Sequence, residues 1–244
     1  MAMPLGAAES KKSIIELRHF QLRNTVDGMG PRTIEHLSKS YLPALRRAGS
    51  GPVGLFSSMI SQDSPYVLVL SSYPNLAQWE EALDKLSKDK QHEKERDAYR
   101  AGGLGYARME TTLLRAFDSL PDVVVPLRDE KRPGRIFEIR TYESNTIDTL
   151  KRKIGMFNEG EIAIFRKLNM LPVFFGETIV GRNMPNLTYM LAFDDLAARE
   201  KAWKAFGTDP DWQKMRIQPG LTDPEVVSNI SNSIVQPLAL SEIR

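Results

Sequence analysis

From Ile14 to Leu22 apolar and polar residues alternate with a period of two, as in a half-buried strand. Just beyond, Ile34, Leu37, Tyr41, Leu42, Leu45 and Ala48 recur at the spacing of a helix. A run rich in β-formers follows Pro52 and turns near Asp63-Ser-Pro65, which predicts a hairpin. Asn75 then stands as an N-cap before the apolar stripe Leu76, Trp79, Leu83 and Leu86, and Arg108 to Phe117 fits a closing strand. The predicted order is βαββαβ.

The same order returns about 120 residues later. Ile15-Glu-Leu-Arg-His-Phe20 recurs as Phe137-Glu-Ile-Arg-Thr-Tyr142. Leu45 to Val53 recurs as Phe165 to Val173, and Tyr73-Pro-Asn-Leu-Ala77 as Phe193-Asp-Asp-Leu-Ala197. Ile154, Phe157, Ile162, Phe165 and Leu168 repeat the helix, Asn183-Met-Pro185 the hairpin turn, and Asp195 with Leu196, Ala202, Trp203 and Phe206 the second helix. Val226 to Leu238 fits the last strand. The interval is too long for a solenoid, whose repeats run to roughly 20–50 residues, and suits a duplicated domain.

These patterns predict an α+β protein of two ferredoxin-like βαββαβ domains in tandem, at 13–118 and 135–244. A disordered segment is expected at 1–12 and a linker rich in proline and charge at 119–134. Each four-stranded sheet leaves one face open, so the two are expected to pack sheet to sheet as a dimeric α+β barrel around a shared interior.

Composition narrows the function. The chain has 244 residues, 41% hydrophobic and 26% charged, with a net charge of +2. No basic face interleaved with aromatics is present, so a nucleic-acid partner is not expected. The run Lys85 to Arg100 mixes both signs and reads as a solvated helix face. No apolar stretch approaches the roughly 20 residues of a transmembrane segment. The lack of cysteine removes disulfides and thiolate chemistry. Met1 to Lys12 lacks the apolar centre of a signal peptide, so a cytoplasmic location is expected, with export as the alternative if Gly6 to Glu9 is the remnant of a trimmed signal. His19, His36 and His92 have no partners at metal-ligand spacing, and the second copy has no histidine, so no metal and no cofactor are expected.

Candidate chemistry lies on the first strand of each copy. Glu16, Arg18 and Phe20 share one face while Ile15 and Leu17 share the other; Glu138, Arg140 and Tyr142 likewise oppose Phe137 and Ile139. With the apolar face, and His19 with it, placed under the helices, the charged residues point into the barrel interior. There they form either a self-satisfied ion-pair ladder or a pocket that orients a small anionic or carbonyl-bearing ligand. Glu177 is a candidate general base if burial raises its pKa, and Tyr142 or Tyr189 could donate to a developing oxyanion. The plainer readings are a solvated strand residue for Glu177 and sheet packing for the tyrosines. Trp203 and Trp212 read as core.

Phe137 to Tyr142, Met156-Phe-Asn-Glu-Gly-Glu161, Val173-Phe-Phe-Gly-Glu-Thr178, Met184 to Met190 and Phe193 to Trp203 together resemble the NIPSNAP family. The resemblance spans almost all of the second copy. The first copy keeps Glu-x-Arg and Asn-Leu-Ala but lacks the Gly-Glu-Thr hairpin pattern, so any ligand is expected to contact Gly176 to Tyr189 more than the equivalent stretch of the first copy. It implies the dimeric α+β barrel fold, shared with small monooxygenases, isomerases and haem-handling proteins, and no settled reaction. Eukaryotic relatives are mostly mitochondrial and linked to trafficking and quality control. Two functions are therefore expected. One is small-molecule binding in a polar barrel interior, extending to a cofactor-free enzyme of monooxygenase or isomerase type. The other is a non-enzymatic interaction module acting through its helical surface or as a homo-oligomer.

Overall fold

The computed structural model of the chain describes residues 12–127 and 135–244; the N-terminal segment 1–11 and the later part of the expected linker, 128–134, lie outside the described residues. The first half runs β1 (Ile14–Gln21), α1 (Met29–His36), a π-helical turn (Leu37–Tyr41), α2 (Leu42–Ala48), β2 (Gly54–Ile60), β3 (Tyr66–Tyr73), α3 (Leu76–Lys88), α4 (Lys90–Ala101) and β4 (Arg108–Ala116). The second runs β5 (Ile136–Glu143), α5 (Ile147–Met156), a π-helical turn (Phe157–Glu161), α6 (Ile162–Lys167), β6 (Leu171–Val180), β7 (Asn186–Phe193), α7 (Leu196–Thr208), α8 (Pro210–Met215), α9 (Asp223–Val226) and β8 (Asn229–Pro237). Local details recur in step. Asn75 and Asp195 cap α3 and α7 by accepting from Gln78 N at 2.9 Å and Ala198 N at 2.7 Å, and Asp89 and Asp209 cap α4 and α8. Asp63 and Asn183 take positive φ at the two hairpin turns, where a short polar side chain tolerates the left-handed region.

The eight strands form one closed antiparallel barrel in the order β1-β3-β2-β8-β5-β7-β6-β4. The two sheets do not merely stack: β2 pairs with β8 and β4 with β6, so the outer strands of each half become the edges of the other. Closure leaves no row of unpaired backbone groups, and it is completed within one chain.

The orientation of β1 and β5 is the reverse of the expectation. Ile15, Leu17, Phe137 and Ile139 point inward and pack with Phe56, Leu68, Leu70, Leu114, Phe174, Met190 and Val235 into an apolar barrel core. Glu16, Arg18 and Phe20, like Glu138, Arg140 and Tyr142, lie on the outer face beneath the helices, which supply Tyr41, Arg199 and Trp203 as partners. The centre of this eight-stranded barrel is filled by its own side chains, so it takes residues that need no polar partner. A helix layer can bring partners of its own, and the charges go there.

Residues 119–127 are docked on the barrel. Val124 N donates to Val173 O at 2.8 Å, Ser13 N to Pro121 O at 2.9 Å, and Val123 enters the barrel core. The C-terminal residues do the same on the other half: Glu242 N donates to Val53 O at 3.0 Å and Ile243 is fully buried in that core.

Candidate functional site

The layer between sheet and helices differs between the halves. In the second half it is full. Glu138 is fully buried and accepts from Arg140 Nη1 at 3.1 Å, Arg199 Nη2 at 2.5 Å, Trp203 Nε1 at 2.7 Å and Asn232 Nδ2 at 3.2 Å. Burial pushes this carboxyl up, but Arg199, Arg140 and Trp203 outweigh it and hold its pKa below the ordinary glutamate value. The Arg140 guanidinium lies 4.4 Å from the centre of the Trp203 ring. Tyr189 Oη donates to Tyr142 Oη at 2.9 Å, and around them Phe157, Phe165, Phe175, Phe206 and Trp212 form a continuous aromatic cluster. Lys153 and Glu161, both almost wholly buried, pair at 3.0 Å inside it.

In the first half, Arg18 donates to Glu16 Oε1 at 2.5 Å and to Tyr41 Oη, and Ser71 Oγ donates to Glu16 Oε2 at 3.3 Å. Above this pair the layer is open. A cavity of about 780 Å³ is lined by Arg18 and Phe20 from β1, His36, Leu37 and Tyr41 from the long helix, Leu83 and Leu86 from α3, and His92, Arg96, Tyr99 and Arg100 from α4. Leu104, Tyr106 and Met109 complete it. That size suits a small-molecule site.

Side-chain volume explains the difference. The strand registers align the halves: Val69 lies opposite Arg18 and Leu55 opposite Val69, as Tyr189 lies opposite Arg140 and Phe175 opposite Tyr189. The π-helical turns begin with Leu37 and with Phe157. Counted from their N-caps, Leu83, Leu86 and His92 occupy the places of Trp203, Phe206 and Trp212. Six rings are thus replaced by aliphatic side chains or an imidazole, and space opens where they would meet.

Two histidines line the cavity. His36 stacks on Tyr99 at 4.2 Å with the rings 2° apart, and on His92 at 5.5 Å. Ser40 Oγ and His92 Nδ1 lie 2.9 Å apart. Tyr99 packs so tightly on the segment before β4 that a Cβ at Gly105 would stand 1.7 Å from its Oη. Burial, assisted by His92, Arg96 and Arg100, lowers the His36 pKa to about 4, and burial with Arg96 lowers that of His92. Both imidazoles are neutral at physiological pH.

His19 faces the barrel interior and not the helices. It lines a second, polar cavity of about 170 Å³ at one barrel mouth with Thr112, Thr141, Thr178, Thr188 and Asn186. Burial, aided by Arg182, lowers its pKa to about 4. Stability should therefore fall on acidification: His19 and His36 take up protons near pH 6.5 when unfolded but only near pH 4 when folded, so the unfolded chain binds more protons in that window. We expect a loss of at most about 3 kcal/mol for His19, and less for the partly exposed His36, between pH 7 and pH 4. Urea titrations across that range should show it, and His19→Asn with His36→Gln should flatten the curve.

Among the residues singled out from the sequence, Glu16 with Arg18 and Glu138 with Arg140 do pair, but at two separate places in the helix layers and not in a common interior. Tyr142 and Tyr189 meet each other in the packed half. Glu177 is half-buried on β6 and lines neither cavity. The run Lys85 to Arg100 is only partly a solvated face, because α4 turns His92, Arg96, Tyr99 and Arg100 toward the larger cavity.

Residues 137–242 match the NIPSNAP family model. The chain carries a NIPSNAP domain. The larger cavity lies outside it: the NIPSNAP domain is the filled half, and the hairpin Gly176 to Tyr189 contributes only to the barrel mouth. No curated protein matches the chain. Among solved structures, a "putative monooxygenase" from Lactobacillus acidophilus NCFM aligns over 93% of this chain and 94% of its own, at 8% identity and a TM-score of 0.61. A second protein of that name, from Fusobacterium nucleatum, aligns over 93% of each chain at 9% identity and a TM-score of 0.61. An anthrone oxidase-like protein aligns over 95% of this chain and 94% of its own, at 11% identity and 0.56. At such identities the likeness is one of fold, and it extends across the NIPSNAP domain and the half before it. Among the described residues no helix is long and apolar enough to cross a membrane.

Proposed function

We propose that this protein binds one small, largely apolar molecule per chain in the helix–sheet cavity of its first half. The observation that carries the reading is the cavity itself: about 780 Å³, lined mostly by apolar and aromatic side chains, at a place that bulky rings fill in the other half. In the same proposal the chain is two ferredoxin-like βαββαβ units in tandem, 13–118 and 135–244. The recurrence of N-caps, π-helical turns, hairpin turns and strand registers about 120 residues apart supports it. The second unit then serves as scaffold and the first as binding site.

The enzymatic form of the proposal is proton transfer. A bound anion that offsets Arg96 and Arg100 would raise the depressed basicity of His36 and His92, so that an imidazole accepts a proton from a carbon or phenol acid while a guanidinium holds the resulting anion, as an isomerase or a cofactor-free monooxygenase requires. The test is methyl-labelled NMR during titration with small aromatic compounds. Leu37, Leu83, Leu86 and Met109 should shift together at a stoichiometry of one per chain, while Leu150 and Met156 stay in place. Shifts confined to Leu17 and Ile139, at the barrel mouth, would overturn the assignment.

A further inference from the structure

We infer that the ligand of the larger cavity is a flat aromatic molecule bearing an anionic group, its ring laid along the Tyr99–His36–His92 stack and its anion held by Arg96 and Arg100. This rests on the reading of the cavity as a ligand site and goes beyond it to the ligand's chemistry.

The anion is indicated by uncompensated positive charge. His92, Arg96, Tyr99 and Arg100 stand at intervals of four, three and one along α4, so they share the face turned to the cavity. The cavity lining contains three arginines and no carboxylate. Arg18 is committed to Glu16 and Tyr41. Arg96 and Arg100 make no ion pair among the described residues, and the nearby Glu93 is taken by Lys90 at 3.0 Å. Arg96 Nε is buried without a hydrogen-bond partner. Two guanidinium groups one helical turn apart, with donors unused beside an apolar space, match a carboxylate or another oxyanion, which can accept from both. The depressed pKa values of His36 and His92 agree, since Arg96 contributes to both.

The flat ring is indicated by the walls. Tyr99 and His36 are parallel within 2°, and His92 continues the stack at 28°. His36 is covered on both faces, so with both imidazoles neutral this wall offers ring edges and the outer faces of Tyr99 and His92, and not a charge. From the sheet side, Phe20 meets Tyr106 edge to face at 5.2 Å and 73°. A cavity bounded by ring edges and outer ring faces favours an aromatic guest, whose own face can meet those edges, over a flexible aliphatic chain.

Calorimetric titration of the full chain with three probes tests this: naphthoate, a flat anion; naphthalenemethanol, flat and uncharged; and decanoate, an aliphatic anion. Naphthoate should bind one per chain, about tenfold or more tighter than either of the others. Arg96→Gln with Arg100→Gln breaks no ion pair among the described residues and should leave the melting temperature nearly unchanged. It should lower naphthoate affinity by about 10- to 100-fold and leave naphthalenemethanol unaffected. Equal affinity for naphthoate and naphthalenemethanol, or no effect of the arginine changes, would overturn the anion. Decanoate binding as tightly as naphthoate would overturn the flat ring. If none of the three binds, the ligand-site reading beneath the inference falls, and the inference falls with it.

Discussion

Lys153→Met should destabilise the protein by about 3 to 5 kcal/mol, because it strands Glu161 as an unpaired charge in a layer that water does not reach. Both side chains are almost fully buried and pair at 3.0 Å, while Asp223 stands 3.9 Å from the same ammonium. The Lys153 Nζ also lies about 5 Å from the ring centres of Tyr142, Phe157 and Trp212. Burial alone would lower the lysine pKa, but Glu161 and Tyr142 raise it. Adding Glu161→Gln removes the stranded charge, so the double variant should regain most of the loss. Urea denaturation of wild type, single and double variants measures this directly. A double variant as unstable as Lys153→Met would show that the ammonium is held by the aromatic rings and not by the carboxylate.

Leu37→Phe with Leu83→Trp should abolish ligand binding in the first half, with affinity lost by about 100-fold or more, without loss of stability. These substitutions install the rings that the second half carries at the same places, Phe157 and Trp203. In a packed core such enlargement would cost about 1 to 3 kcal/mol; here it enters existing space and should be neutral or stabilising by up to about 2 kcal/mol. A change in the opposite sense, Phe157→Leu with Phe206→Leu, removes two rings from the filled half and should cost about 2 to 4 kcal/mol. Melting temperatures and binding isotherms of the two pairs would test the volume argument. Retained binding in the filled variant would move the ligand elsewhere.

The sequence was a good guide to elements, because the signals for them are local. The alternation of Ile14 to Leu22 became β1, the stripe behind Asn75 became α3 with Asn75 as its cap, and both hairpins turn where Asp63-Ser-Pro65 and Asn183-Met-Pro185 predicted. The long helix predicted over Ile34 to Ala48 formed with a π-helical turn at Leu37–Tyr41 inside it, which a search for 3.6-residue spacing does not resolve.

What alternation could not say was which face of β1 looks inward. A period of two separates Glu16 and Arg18 from Ile15 and Leu17, but the assignment of faces depends on what each meets. The barrel interior offers apolar side chains of other strands together with Val123 and Ile243; the helix layer offers Tyr41 to one pair and Arg199 and Trp203 to the other. The polar face therefore turned outward, and with it the candidate site moved from the centre of the barrel to the layer above it.

The cavity had a trace in the sequence: where the copies align, Phe157, Phe165, Phe175, Trp203, Phe206 and Trp212 answer to Leu37, Leu45, Leu55, Leu83, Leu86 and His92. A repeat comparison registers all but the last of these as conservative exchanges of one apolar residue for another. Their consequence is a difference in volume. It becomes a cavity only because the fold brings β1, the long helix, α3 and α4 around one point, where several small losses of size add up at the same place.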